Sequence, residues 1–193
     1  MALLKKRVEA AGFDTYRYCY PALKRSFHEN VSGLEALIRQ LLCEKGYERL
    51  HLVCHSYGGL VACGLLEAFW QNRAKIRCQI DKCVFLGTPL NGATLVRRLE
   101  GTLVLELLTG HSLAPLRRGV PPKPSFTIDS IMVAGTLNIG FGMFFLEDGD
   151  GMVAVADTLA PWLSGHFKKK VTHLGLLLSS DVAGIVTHFL SQK

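Results

Sequence analysis

The segment Leu50-His51-Leu52-Val53-Cys54-His55-Ser56-Tyr57-Gly58-Gly59 constrains this chain more than any other. An apolar run of strand character leads straight into a serine, and two glycines then open a stretch of helical character. A strand passes into a helix over so short a turn only if small residues surround it, because the helix backbone must cross close to the strand. Such a turn exposes the serine hydroxyl at the top of a sheet. A hydroxyl is a poor nucleophile until a base takes its proton, so Ser56 directs attention to a histidine and a carboxylate further along.

The rest of the chain alternates strand and helix signals. Residues 2–11 read as a helix closed by Gly12. Residues 15–20 are rich in aromatic and β-forming side chains, Pro21 stops them, and a strand is expected. Residues 27–44 carry apolar positions at helical spacing, Val31, Leu34, Leu37, Ile38, Leu41 and Leu42, with Gly46 as the stop. Strands are expected at 49–54, 82–86, 125–134 and 169–172, and helices at 58–70 and about 180–190. Strands alternating with helices imply a mostly parallel central sheet with helices on both faces. With 193 residues, the chain is expected to form one domain, 1–193. Residues 93–124 stand apart, with the apolar run 103–108 followed by Pro115, Pro121, Pro122 and Pro124. A connection this long reads either as a lid or insertion or as an ordinary helix and loop.

Two carboxylate and histidine positions follow predicted strands. Glu147-Asp148-Gly149-Asp150-Gly151-Met152-Val153 comes after the fourth, and Val171-Thr172-His173-Leu174 after the fifth. The order Ser56, Asp150, His173 suits a nucleophile, an orienting acid and a general base on loops at the carboxyl ends of strands. Each alone has a plainer reading: a turn serine, an Asp-Gly turn, a structural histidine. The three in order, each after a strand, carry the argument.

Composition narrows the alternatives. The formal charge is +6, but the basic residues lie in short clusters without interleaved aromatics, so nucleic acid is not the expected partner. A mild attraction to anionic membranes stays open. The six cysteines match no zinc spacing and form no CxxC pair. The Asp-Gly-Asp-Gly stretch lacks the full calcium-loop spacing. Neither metal nor cofactor is therefore expected. The uncharged stretch 130–146 reads as a buried strand followed by a glycine-rich loop. The N-terminus places its charges after its apolar residues, the reverse of a signal peptide, and a cytoplasmic setting is expected.

The chain resembles α/β-hydrolases of the bacterial lipase/esterase type. The likeness rests on Val53-Cys54-His55-Ser56-Tyr57-Gly58-Gly59, Phe85-Leu86-Gly87-Thr88-Pro89-Leu90-Asn91-Gly92-Ala93, Asp150-Gly151-Met152-Val153 and Thr172-His173-Leu174-Gly175-Leu176-Leu177. It implies an α/β-hydrolase fold and serine-dependent hydrolysis of carboxylic esters, with small-molecule or lipid-like acyl esters as substrates. Ser56 would be the nucleophile, Asp150 the acid with Asp148 its nearest competitor, and His173 the base. The Tyr57 backbone N–H would be one oxyanion donor. Acyl transfer by the same triad and a noncatalytic relative that binds an acyl ligand or a partner remain alternatives. Two departures stand out. Cys54 replaces a usual glycine, and the strand ending in His-Gly that opens such sheets, and whose loop supplies a second oxyanion donor, has no counterpart here. The flanking segments 15–20 and 49–54 would then pair directly, or another chain, or an unrepresented start of the protein, would fill the slot.

Overall fold

The computed structural model of the chain describes residues 1–22, 24–71, 79–100, 102, 113–121, 123–144 and 148–192. Among the described residues, the centre is a sheet of four strands, β1 (Arg49–His55), β2 (Gln79–Leu86), β3 (Asp129–Gly135) and β4 (Gly165–Lys169). They lie in the order β1-β2-β3-β4, all parallel. Parallel neighbours need crossovers, and helices supply them. α1 is Ala2–Ala10, α2 Phe27–Lys45, α3 Tyr57–Gln71, α4 Thr94–Arg98, α5 Leu113–Arg118 and α6 Ser180–Ser191.

Local chemistry sets the helix ends. Ser26 caps α2 by accepting from the Glu29 N–H at 3.2 Å, and the Glu29 carboxylate accepts from the Ser26 N–H at 2.7 Å. Gly46 closes the same helix in the left-handed region at φ 66°. Ser179 caps α6 by accepting from the Val182 N–H.

Period-two alternation builds the two faces of the sheet. Cys83 and Phe85 of β2 and Met132 of β3 pack with α2 and α3, where Leu65 and Leu66 are fully buried. Val84, Leu86, Ile131 and Val133 point the other way, onto α1, α6 and the turn 175–177. A bulge at Asp81 shifts the phase of β2, since Leu50 pairs with Ile80 and His51 already with Lys82. Ile80 thus joins the α3 side while Lys82 turns toward α6. There its Nζ donates to the carbonyls of Phe189 at 2.8 Å and Gln192 at 2.6 Å. A buried ammonium at the end of a helix completes the bonding of its last carbonyls and complements the helix dipole.

The structure departs from the sequence reading at four strands, of which β2 begins at Gln79 rather than 82. Residues 15–20 form no strand and do not pair with β1, so that direct closure of the sheet is absent and, among the described residues, β1 is an edge. Side chains anchor this segment instead: Tyr18 Oη donates to the Asn30 carbonyl at 2.9 Å, and the Tyr16 and Tyr47 hydroxyls lie 2.8 Å apart. The fourth strand begins at Asp129 rather than 125, because the register with β2 starts at Lys82–Asp129. The last strand is Gly165–Lys169 rather than 169–172. Its Gly-His-Phe-Lys-Lys sequence is that of a partly exposed sheet edge, which hides it from an apolar search.

Lys82→Met keeps the apolar stem but removes the ammonium donor from the Phe189 and Gln192 carbonyls. It is expected to lower stability by about 1–3 kcal/mol, read as a fall of several degrees in Tm by calorimetry.

Candidate active site

Ser56 joins β1 to α3 with φ 54°, the one positive φ at a non-glycine position among the described residues. A left-handed serine is costly and persists only where the surroundings over-determine it. Its N–H donates to the Leu86 carbonyl at 2.9 Å. Its own carbonyl accepts from the Gly59 N–H at 3.0 Å and from Thr88 Oγ1 at 3.0 Å. The two glycines after Tyr57 differ in what they do. A Cβ on Gly59 would lie 2.8 Å from Thr88 Cβ, whereas one on Gly58 would make an ordinary 3.4 Å contact with Tyr20. Gly59 is the residue that permits the crossing. Tyr57 opens α3, so its backbone N–H has no intrahelical acceptor.

Cys54, in the position expected to crowd this turn, is buried beside Cys63 and Cys83. Burial pushes the Cys63 and Cys83 thiols well up, so both stay protonated and act as small hydrophobes.

Asp150 is 2% exposed and spends both carboxylate oxygens. Oδ1 accepts from the Met152 N–H at 3.0 Å and the Val153 N–H at 2.8 Å. Oδ2 lies 2.7 Å from His173 Nδ1. A backbone bond from the His173 N–H to the Asp150 carbonyl, 2.8 Å, ties the two loops together. Asp148, the competitor for this role, is exposed and pairs with Lys168 at 3.9 Å. Ser56, Asp150 and His173 all follow the carboxyl ends of the parallel strands.

Three residues of this site escaped the sequence reading as physical agents. Gly87, at φ 55°, ends β2 where a Cβ would lie 2.9 Å from Asp150 Oδ2 and 3.2 Å from His173 Nδ1. Gly135 ends β3 where a Cβ would lie 2.6 Å from Asp150 Cβ. The Leu86-Gly87-Thr88-Pro89 punctuation signals the first; nothing in sequence signals the second. His55 is the third. Its ring lies 4.5 Å from that of His173, and its Nε2 is 3.0 Å from the His173 carbonyl. Burial, reinforced by the neighbouring His173, lowers its pKa to about 4. His55 is therefore neutral near pH 7 and donates Nε2–H to that carbonyl.

Asp157, also 2% exposed, accepts from the Thr94 N–H at 2.7 Å and Thr94 Oγ1 at 2.6 Å. It fixes the start of α4 rather than the histidine. The apolar run 103–108 lies outside the described residues. Exposed apolar side chains do flank the site: Ile139, Met143, Phe144, Met152 and Leu174. The segment bearing the first three is bonded to the Asp150 loop through Gly142 N–H to Gly151 O, 2.8 Å, and to the His173 loop through Leu137 N–H to Val171 O, 3.1 Å. Among the described residues, no group of three His, Cys, Asp or Glu side chains is placed to hold a metal, and no helix is long and apolar enough to cross a membrane.

Solved structures share this architecture. The mature lipase BlEst2 of Bacillus licheniformis superposes with a TM-score of 0.74 at 18% identity, over 97% of this chain and 82% of the lipase. The phospholipase PlaB of Legionella pneumophila, in complex with thio-NAD, gives 0.72 at 14% identity, over 100% of this chain and 54% of that one. The metagenomic carboxyl esterase MGS0156 gives 0.59 at 15% identity, over 77% and 51%. The chain thus spans most of the mature lipase but only about half of the phospholipase. No protein-family model and no curated protein matches the sequence. At these identities the likeness concerns the fold: the chain has the α/β-hydrolase fold.

Two outcomes follow from the His55 and Gly87 environments. The folded pKa of His55 is below the unfolded value, so the unfolded chain binds more protons between about pH 4 and pH 6.5, and stability falls as pH drops through that window. His55→Gln is expected to flatten this loss, of the order of 3 kcal/mol, in Tm measured against pH. Gly87→Ala is expected to displace the Asp150–His173 pair, read as loss or upfield movement of the low-field imidazole N–H proton resonance.

Proposed function

We propose that the chain is a serine-dependent hydrolase of carboxylic esters. The observation that carries this reading is the buried Asp150 bound to His173 Nδ1 at 2.7 Å, over strand ends beside the strained Ser56 turn. With Nδ1–H held by Asp150, His173 presents Nε2 as the acceptor for the Ser56 proton. Ser56 Oγ then attacks the ester carbonyl. The imidazolium, stabilised by Asp150, returns the proton to the leaving alkoxide, and an acyl-serine remains. Water, deprotonated by the same His173 Nε2, attacks the acyl carbonyl; the bond to Ser56 Oγ then breaks as His173 returns the proton to that oxygen, and the acid leaves. The Tyr57 N–H faces no intrahelical acceptor and serves the developing oxyanion. Asp150 is oriented by two backbone N–H groups, so it does not need the proton itself.

The substrates we propose are esters with apolar acyl chains. Ile139, Phe144 and Leu174 are 60%, 76% and 67% exposed on loops bonded to those of Asp150 and His173. That is apolar surface where an acyl chain would leave the reacting carbonyl.

Hydrolysis of p-nitrophenyl butyrate and palmitate, with fluorophosphonate labelling, tests both statements. Wild-type protein is expected to label at Ser56 and turn over ester. Ser56→Ala and His173→Ala are expected to lose both, and Asp150→Asn about 10³–10⁴-fold in kcat. Folded wild-type protein that neither labels nor hydrolyses either ester overturns the proposal. Phe144→Ser with Leu174→Ser is expected to lower the palmitate rate more than the butyrate rate. Equal effects on the two would sink the acyl-chain assignment while leaving the triad intact.

A further inference from the structure

His55 is the last residue of β1, opposite Leu86 in the sheet register. Alternation along the strand sends Cys54 toward α3 and Val53 to the other face, with α1 and α6. His55 follows Val53, and there its ring meets the loop that carries His173. The bond from Nε2–H to the His173 carbonyl, 3.0 Å, thus runs from a strand fixed in the sheet to a loop. Within that loop the Gly175 and Leu176 N–H groups bond to Thr172, which shapes the loop without placing it against the serine.

His173 is held at three atoms. Its N–H donates to the Asp150 carbonyl at 2.8 Å, its Nδ1 lies 2.7 Å from Asp150 Oδ2, and its carbonyl accepts from His55. The first two fix His173 to Asp150. The third alone comes from the strand that ends at Ser56. Asp150 and His173 could move away from the serine together and keep both of their mutual bonds; the His55 bond is the one such a movement breaks. In the other sense, the close approach of Gly87 to Asp150 Oδ2 and His173 Nδ1 leaves the pair no room to move inward.

We infer that His55 is a positioning residue, whose bond to the His173 carbonyl sets how far the Asp150–His173 pair stands from Ser56. Its consequence for rate rests on the ester-hydrolase reading; the placement itself does not. An imidazole suits the task. Its Nε2 reaches the carbonyl while its ring covers that of His173, with centroids 4.5 Å apart and planes at 42°. Burial keeps the ring neutral near pH 7, so it donates without adding a charge against the imidazolium that forms on His173. A lysine there would donate equally and oppose that charge. Proton transfer between Ser56 and His173 depends steeply on their separation, and a displacement of about 1 Å costs on the order of 10²-fold in rate.

Two substitutions separate the bond from the ring. His55→Phe keeps a ring against His173 and removes the donor. His55→Gln removes the ring and keeps an N–H at similar reach. The measurements are kcat and KM for p-nitrophenyl butyrate, well below the Tm of each variant, and the Ser56 Oγ to His173 Nε2 separation in crystal structures of the intact chain. His55→Phe is expected to lengthen that separation by about 1 Å and to lower kcat about 10²-fold with KM nearly unchanged. His55→Gln is expected to restore the wild-type separation and to bring kcat back to within roughly threefold of wild type. An unchanged separation or an unchanged kcat in His55→Phe overturns the inference, and so does a glutamine variant as displaced and as slow as the phenylalanine one. If the wild-type protein hydrolyses no ester, the hydrolase reading fails alone, and the separations in the two variants still decide the role of His55.

Discussion

The close backbone crossing at Gly59 and Thr88 is the contact on which the site depends. α3 can follow β1 without an intervening loop only because Gly59 presents no Cβ to Thr88. That crossing forces Ser56 into the left-handed region, and the bonds from Ser56 to Leu86, Gly59 and Thr88 hold it there. The same few atoms bring the end of β2 beside the end of β1. Gly87 then leaves the space that Asp150 and His173 occupy. Strain at one residue and absent side chains at two others are parts of one arrangement, in which the backbone yields room and polar side chains use it.

Much of this was legible in the sequence, for reasons that differ by element. The β1–Ser56–α3 turn shows because strand character, a serine and two glycines coincide within ten residues. Asp150 shows because an Asp-Gly turn follows a buried apolar strand, and its preference over Asp148 comes from the family pattern rather than from spacing. The helices show through their periodicity and their caps, Ser26 with Glu29 and Ser179. The last strand does not show, because Gly-His-Phe-Lys-Lys is shaped by being an edge. Residues 15–20 misled in the opposite sense: their tyrosines have strand propensity, yet a strand requires a partner, and here the phenols bond outward to α2 and to Tyr47. His55 could not be read at all, since its neutrality arises from burial against a residue 118 positions away.

The two margins of the sheet are built on different principles. β4 is half exposed and carries Lys168 and Lys169, charges that discourage another strand from pairing with it. β1 carries Leu50, Leu52 and Val53 at the opposite margin, packed against the helices on the two faces of the sheet. The two margins of the sheet thus differ in charge and in cover.

The fastening of α4 and α5 bears on how such a chain diversifies. The Ala93 N–H reaches the Leu116 carbonyl at 2.7 Å, the Val120 N–H reaches that of Leu90 at 2.7 Å, and Asp157 clamps Thr94. The connection from residue 90 to residue 120 thus leaves and rejoins the body at one point, like a handle on a single mount. Closing a longer or shorter handle changes the loop entropy by only about 0.6 kcal/mol per doubling of length. The number of residues between α4 and α5 can therefore change at little entropic cost while Thr94, the buried Leu95, Val96 and Leu99, the strands and the serine turn stay where they are.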